Sequence, residues 1–187
     1  MATMDSTAAW AVAAGDPELG LEWRDAVTAR MVASPAYTSY EGLVGEERRR
    51  LGLPLEARAR LLDAWRRMQP WPDARALGEI ELPFAFLTNC SARLASLAVA
   101  RSGLHPRFVL SAEEVGWYKP DRRAYLAACQ RLRVSPEETL FVAGAAYDAA
   151  GARAAGLRAC LVRRRRDVAA PAGMPAFNSL GAALHGG

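Results

Sequence analysis

The seventeen residues from Leu140 to Gly156, LFVAGAAYDAAGARAAG, restrict the fold of this chain more than any other stretch. Four successive apolar residues, Leu140, Phe141, Val142 and Ala143, are too few for a helix and predict a short buried strand. Gly144 then turns the chain, an alanine-rich helix carries Asp148 near its start, and Gly156 supplies the left-handed position that ends it. A second apolar strand, Ala159 to Val162, follows at once. Two parallel strands joined by one helix place the first turn at the carboxyl edge of the sheet, where open α/β sheets bind ligands. Asp148 therefore stands at the functional edge, although for an isolated acid the helix dipole alone would be reason enough to sit there.

The same alternation extends upstream. Phe84 to Leu87 predicts a strand delivering the hydroxyl of Thr88 and the amide of Asn89 to its carboxyl end. Ser91 can cap a helix bearing Leu94, Leu97 and Ala98, which stops at Gly103, and Phe108 to Leu110 predicts another strand. The loop Gly116-Trp117-Tyr118-Lys119-Pro120 holds Lys119 stiffly, because a following proline confines the residue before it to extended conformations. Asp121 starts a helix with Tyr125, Leu126 and Cys129, and Ser135 with Glu138 makes a capping-box pattern ahead of the strand at Leu140. Residues 84–162 thus read as α/β.

Before the hinge Pro70-Trp71-Pro72 the period is helical. Leu19, Trp23, Val27 and Met31 lie four apart on one face until Pro35, and further helices are predicted over Tyr40 to Leu51 and Leu55 to Met68, the last with Leu61, Leu62 and Trp65 inward. Residues 1–16 read as a frayed arm leading into a helix. The resulting division is a helical lobe over 1–72 and a Rossmann-like core over 73–187. With 187 residues, 51% of them hydrophobic, the chain has enough material for a core and a modest second lobe.

Of 24 basic residues, Lys119 is the only lysine. In a chain so biased toward arginine, a retained lysine marks a site where a compact ammonium cannot be exchanged for a guanidinium. The net charge of +4 and the run Arg163 to Arg166 suggest nucleic acid, but the run follows a strand directly and lacks interleaved aromatic residues, so a solvated loop is expected and no nucleic-acid partner. Apolar runs are too short for a membrane span, and no basic segment with a cleavage site opens the chain, so the expected location is cytoplasmic. Cys90, Cys129 and Cys160 are odd in number and widely spaced, and only His105 and His185 could join them, so reduced thiols and no metal are expected.

Thr88-Asn89, Tyr118-Lys119-Pro120, Tyr125, and Phe141-Val142-Ala143 ahead of Asp148-Ala149-Ala150-Gly151-Ala152 together resemble the haloacid dehalogenase superfamily, and within it the L-2-haloacid dehalogenase (type II) branch. The resemblance spans about Leu21 to Arg164 and includes Trp23-Arg24 and Pro70-Trp71-Pro72-Asp73. It implies a Rossmann-like core with a helical cap inserted after the first strand. It also implies chemistry in which an aspartate closing that strand attacks the halogen-bearing carbon, expels halide and forms an ester that water hydrolyses. Lys119 matches the lysine that keeps this nucleophile ionised, Asp148 the acid that orients the lysine or the water, and Tyr125 a tyrosine of the catalytic set. Arg24, Thr88 and Asn89 match the groups that bind the substrate carboxylate or the departing halide. No cofactor is implied, since the magnesium of phosphatase relatives is held by that same first-strand aspartate.

Two departures stand out. Gly144-Ala145 replaces the small polar pair that usually precedes the motif of Asp148. Residues 1–20 contain no apolar strand followed by Asp-x-x-Gly-Thr, and Asp5 reads as a helix-start residue. The expectation is a parallel sheet lacking its first, central strand and a hydrolase inactive as this chain for want of the nucleophilic aspartate. Alternatives are an upstream segment that supplies the strand, a non-catalytic anion-binding or assembly protein whose homodimer or partner covers the sheet gap, and recruitment to another reaction through Lys119, Tyr125 or Cys90. The expected ligand is a small carboxylate or halide-type anion.

Overall fold

A computed structural model describes residues 2–164 and 169–186. The chain opens with four helices. α1 (Ser6–Ala14) begins where the Asp5 carboxylate accepts from the backbone N–H groups of Thr7 and Ala8, and it ends at Gly15 in the left-handed region. The opening segment is therefore mostly helix, and Asp5 is its cap. α2 (Pro17–Ala33) has Asp16 as its cap, Pro17 in its first turn, and Gly20, Trp23, Val27 and Met31 buried, which extends the face read from the sequence. α1 crosses α2 closely: a Cβ on Gly20 would stand 2.7 Å from the Ala11 backbone. Trp10 meets Trp23 edge-on at 5.0 Å, and the Trp23 indole donates to Val44 O at 3.0 Å. α3 (Tyr40–Arg50) and α4 (Glu56–Arg67) complete the group, with Leu61, Ala64 and Trp65 of α4 buried and Leu62 half-buried.

After a 3-10 turn, Pro72–Gly78, strands and helices alternate. β1 (Phe86–Thr88), α5 (Ala92–Ser102), β2 (Val109–Ser111), a short α6 (Ala112–Val115), α7 (Arg122–Leu132), β3 (Leu140–Ala143), α8 (Ala146–Ala154), β4 (Arg158–Val162), β5 (Ala176–Phe177) and α9 (Leu180–Gly186) follow in turn. Thr88 belongs to β1 itself rather than to the loop after it, and Phe84 precedes the strand. The caps at Ser91 and Asp121 and the capping box of Ser135 with Glu138 form as their sequences predict. The basic run is described only as far as Arg164; Arg165 and Arg166 lie outside the described residues. Arg164 makes an ion pair with Asp73 at 2.9 Å, bonds Ala2 O and stacks over Trp71 at 5.1 Å.

The fold is α/β with parallel sheets. Among the described residues these are two separate sheets, β1 beside β2, and β3-β4-β5. Register runs Phe86 to Val109 and Thr88 to Ser111 in the first, and Leu140 to Arg158 and Ala143 to Leu161 in the second. β1 and β3 are thus edge strands. Their side chains nevertheless align as in one layer: Phe84, Phe86, Leu140 and Val142 join one apolar cluster, and Leu87 and Phe141 another, with Tyr125 and Ala159. No described strand lies between them. The start of the chain pairs elsewhere, Met4 bridging Pro70 and Trp71 N–H donating to Thr3 O at 2.9 Å. Among the described residues no helix is long and apolar enough to cross a membrane.

Candidate active site

A cavity of about 720 Å³ opens between β1 and β3, and Arg24, Thr88, Asn89, Lys119, Tyr125 and Asp148 all line it. The structure thus gathers in one place every residue singled out from the sequence. They arrive from five directions: α2, the end of β1, the loop after α6, α7 and the first turn of α8.

Lys119 is the centre. Its Nζ donates to Asp148 Oδ2 at 2.8 Å and to Leu87 O at 2.9 Å, and it lies 5.2 Å from the centroid of the Phe141 ring. Both members of the ion pair are only 7% exposed. A pair so far from water persists only when its remaining lone pairs are satisfied. Here the Tyr125 hydroxyl donates to Asp148 Oδ1 at 2.7 Å, and Tyr125 is itself fully buried. Burial, reinforced by the adjacent Asp148 carboxylate, pushes the Tyr125 phenol far above its ordinary range, so it remains a donor at every physiological pH. Asp148 also profits from the N-terminal dipole of α8. Ala145 stands at the N-cap of α8 and makes no side-chain capping bond.

Asn89 holds the loop that carries Lys119. Its Oδ1 accepts from Lys119 N–H at 2.7 Å and its Nδ2 donates to Lys119 O at 2.8 Å, gripping the backbone of the lysine from both sides. A further hydrogen bond joins Asn89 to Tyr147. The loop is pinned from the helical side as well, by Tyr118 OH donating to Thr38 O at 2.5 Å and Tyr37 N–H to Gly116 O at 2.8 Å. From below, α8 presses so close that a Cβ on Gly151 would stand 2.5 Å from Pro120 Cβ and 2.7 Å from the Tyr125 hydroxyl. Thr88 Oγ1 lies 3.3 Å from the buried Cys90 Sγ, and burial pushes the Cys90 thiol up to about 12. Arg24 reaches the cavity wall while its guanidinium bonds Asp25 Oδ1 and Thr7 Oγ1. Tyr147 was not foreseen. Its phenol lines the cavity beside Asn89 and is raised by burial and by the nearby Asp148 carboxylate; its place immediately before Asp148 was the only sequence signal.

Among the described residues no cluster of three His, Cys, Asp or Glu side chains could hold a metal ion, and Cys90, Cys129 and Cys160 are free and buried. The arrangement can steady negative charge: an ammonium with two of its three donors committed, at the carboxyl ends of two parallel strands, in a largely apolar cavity.

The sequence model of the haloacid dehalogenase-like hydrolases matches residues 5–156. The chain belongs to the haloacid dehalogenase-like hydrolase family. Within the family it is 40% identical over 128 residues to the (S)-2-haloacid dehalogenase of Pseudomonas sp. strain YL, an alignment covering 64% of this chain and 55% of that enzyme. A phosphatase of Mycobacterium tuberculosis, MT3486, is also 40% identical, over 125 residues, 62% of this chain and 58% of that protein. The chain spans about half the length of the curated relatives it matches. The solved L-2-haloacid dehalogenase of Xanthobacter autotrophicus superposes with a TM-score of 0.80 at 22% identity, over 96% of this chain and 91% of that one, which shows a shared fold. The (S)-2-haloacid dehalogenases among these relatives bear out the branch that the motifs around Lys119 and Asp148 resemble.

Proposed function

We propose that this chain carries the anion-binding half of a 2-haloacid dehalogenase-type site and that, as it stands, it binds a small 2-substituted carboxylate without turning it over. The observation that carries this reading is the position of Lys119 Nζ, held between Leu87 O and Asp148 Oδ2 on the cavity wall. An ammonium has three donors, so one remains for an incoming carboxylate or halide. Arg24 offers a second cation on the wall from the helical side.

Turnover needs more. By the ester mechanism a carboxylate attacks the carbon and displaces halide, and an ammonium such as that of Lys119 would keep that carboxylate ionised. Among the described residues Asp148 is the one carboxylate bonded to Lys119, and its two oxygens are taken by Lys119 and Tyr125. An acid tied in this way orients the lysine and is a poor attacker. Isothermal titration with 2-chloropropionate, alongside a chloride-release assay, tests both halves of the proposal. Binding that disappears in Lys119→Met, with no chloride released, is expected. Sustained chloride release by the chain would overturn the non-catalytic reading, and unchanged binding in Lys119→Met would overturn the site.

A further inference from the structure

The two cations on the cavity wall come from different parts of the chain. Arg24 stands on α2, among the opening helices, whereas Lys119 stands in the loop after α6. Whether both face one ligand therefore depends on how the four-helix group sits on the α/β part. Most of that seat is apolar: Leu94, Ala95 and Ala98 of α5 and Ala112 of α6 share a buried cluster with Trp23, Leu43 and Trp65. Apolar burial is non-directional, so it holds two surfaces together without fixing their register. Directional bonds come from residues 37–41. Tyr37 N–H donates to Gly116 O, Tyr118 OH donates to Thr38 O, and Ser91 Oγ donates to Glu41 Oε1 at 2.7 Å. Both segments gripped in this way adjoin the site: Tyr118 immediately precedes Lys119, and Ser91 lies two residues after Asn89, whose side chain holds the Lys119 backbone.

We propose that Glu41 is a positioning residue of the anion site: by holding Ser91, its carboxylate registers the opening helices on the α/β part so that Arg24 and Lys119 meet the same ligand. The inference rests on the anion reading for its ligand, but the register it assigns to Glu41 can be measured without one. A first-turn acid gains from the dipole of α3 wherever its side chain points, so the dipole does not account for a bond that reaches 50 positions along the chain. Nor does Ser91 need Glu41 in order to cap α5, since it accepts from Leu94 N–H at 3.4 Å with the same oxygen. What the carboxylate adds is a short, charge-assisted bond across the seam, at a hydroxyl only 5% exposed. Arg93 Nη2, 3.6 Å from the same Glu41 oxygen, is exposed and contributes little.

Two measurements on the whole chain test this. The first needs no ligand. Cys90, between Asn89 and Ser91, is 2% exposed and packed in the cluster with the opening helices, so its labelling by an aromatic disulfide reagent, read by mass spectrometry, reports loss of register. Buried Cys160 in β4 is the internal control. Glu41→Ala and Ser91→Gly should each speed Cys90 labelling about tenfold and leave Cys160 unchanged. Glycine is tolerated at a helix cap, so the second variant opens the same bond from the other side while keeping α5. Glu41→Gln retains an acceptor for Ser91 and should label within about twofold of the parent. Equal Cys90 labelling in the parent and Glu41→Ala would overturn the proposal, and so would a parallel rise at Cys160, which reports general loosening. The second measurement is titration of 2-chloropropionate. Arg24→Met should weaken binding about tenfold in the parent but less than about twofold beside Glu41→Ala, because an Arg24 out of register has little left to lose. The same loss from Arg24→Met in both backgrounds would show that Glu41 does not position it. A parent chain that binds no 2-chloropropionate would refute the anion reading, and the labelling alone then decides whether Glu41 sets the register.

Discussion

Replacing Lys119 by methionine separates a structural ion pair from an incidental one. The substitution keeps most of the side-chain volume but removes the donor that Asp148 Oδ2 and Leu87 O both use, at 2.8 and 2.9 Å. Asp148, 7% exposed, is left with the Tyr125 hydroxyl as its side-chain partner. Removing one member of a buried pair costs about 3–5 kcal/mol, because the survivor remains charged and out of water. For a domain of this size, where each kcal/mol shifts the melting temperature by about 2–4 °C, that is a drop of about 6–20 °C. Urea unfolding at pH 7 of the parent, Lys119→Met, Asp148→Asn and the double variant measures it. The double variant should lose less than the sum of the singles by at least about 1 kcal/mol, since neutralising both groups strands neither. A loss under about 1 kcal/mol in Lys119→Met, or additivity within about 0.5 kcal/mol, would refute the reasoning.

Four further outcomes follow from named contacts. Gly151→Ala should destabilise by about 1–3 kcal/mol in urea, because its Cβ would collide with Pro120 and with the Tyr125 hydroxyl. Gly20→Ala should be at least as damaging, since the atoms in the way are Ala11 backbone and cannot rotate aside. Burial opposes ionisation of Asp73, but the Arg164 guanidinium and the Leu180 N–H outweigh it and hold the carboxyl below its ordinary value. A lowered folded-state value means stabilisation that is full above the unfolded value of about 3.9 and lost as pH falls through the lowered one; urea midpoints of the parent and Arg164→Met should therefore converge below pH 4. Cys90, raised to about 12, and Cys160, raised to about 11, should resist an aromatic disulfide reagent at pH 8 in the folded chain and react at once in urea.

What could be read from sequence followed from locality. Strand, turn and helix over Leu140 to Gly156 are neighbours in the chain, and so are the caps at Ser91, Asp121 and Ser135, so their signals survive without tertiary context. Lys119, Asp148 and Tyr125 were legible as a set through the family resemblance, and Lys119 also as the sole lysine. α1 was not, because its alanine-rich nine residues carry almost no amphipathic period and owe their place to the close crossing at Gly20 and to Trp10 against Trp23. α6, with four residues, is too short for a periodic signal, and β5 and α9 follow a stretch rich in alanine, proline and glycine. The grip of Asn89 on the Lys119 backbone spans 30 positions and the Asp73–Arg164 pair 91, distances over which one sequence gives no pairing signal.

The bonds from Lys119 Nζ run to Leu87 in one half-sheet and to Asp148 beside the other. The lone lysine is therefore a tie-rod as well as a charge. Any widening of the framework lengthens one of its two bonds and leaves the ammonium more strongly attracted to whatever anion is near, while narrowing does the reverse. Mechanical spacing and appetite for negative charge are in this molecule a single adjustable quantity.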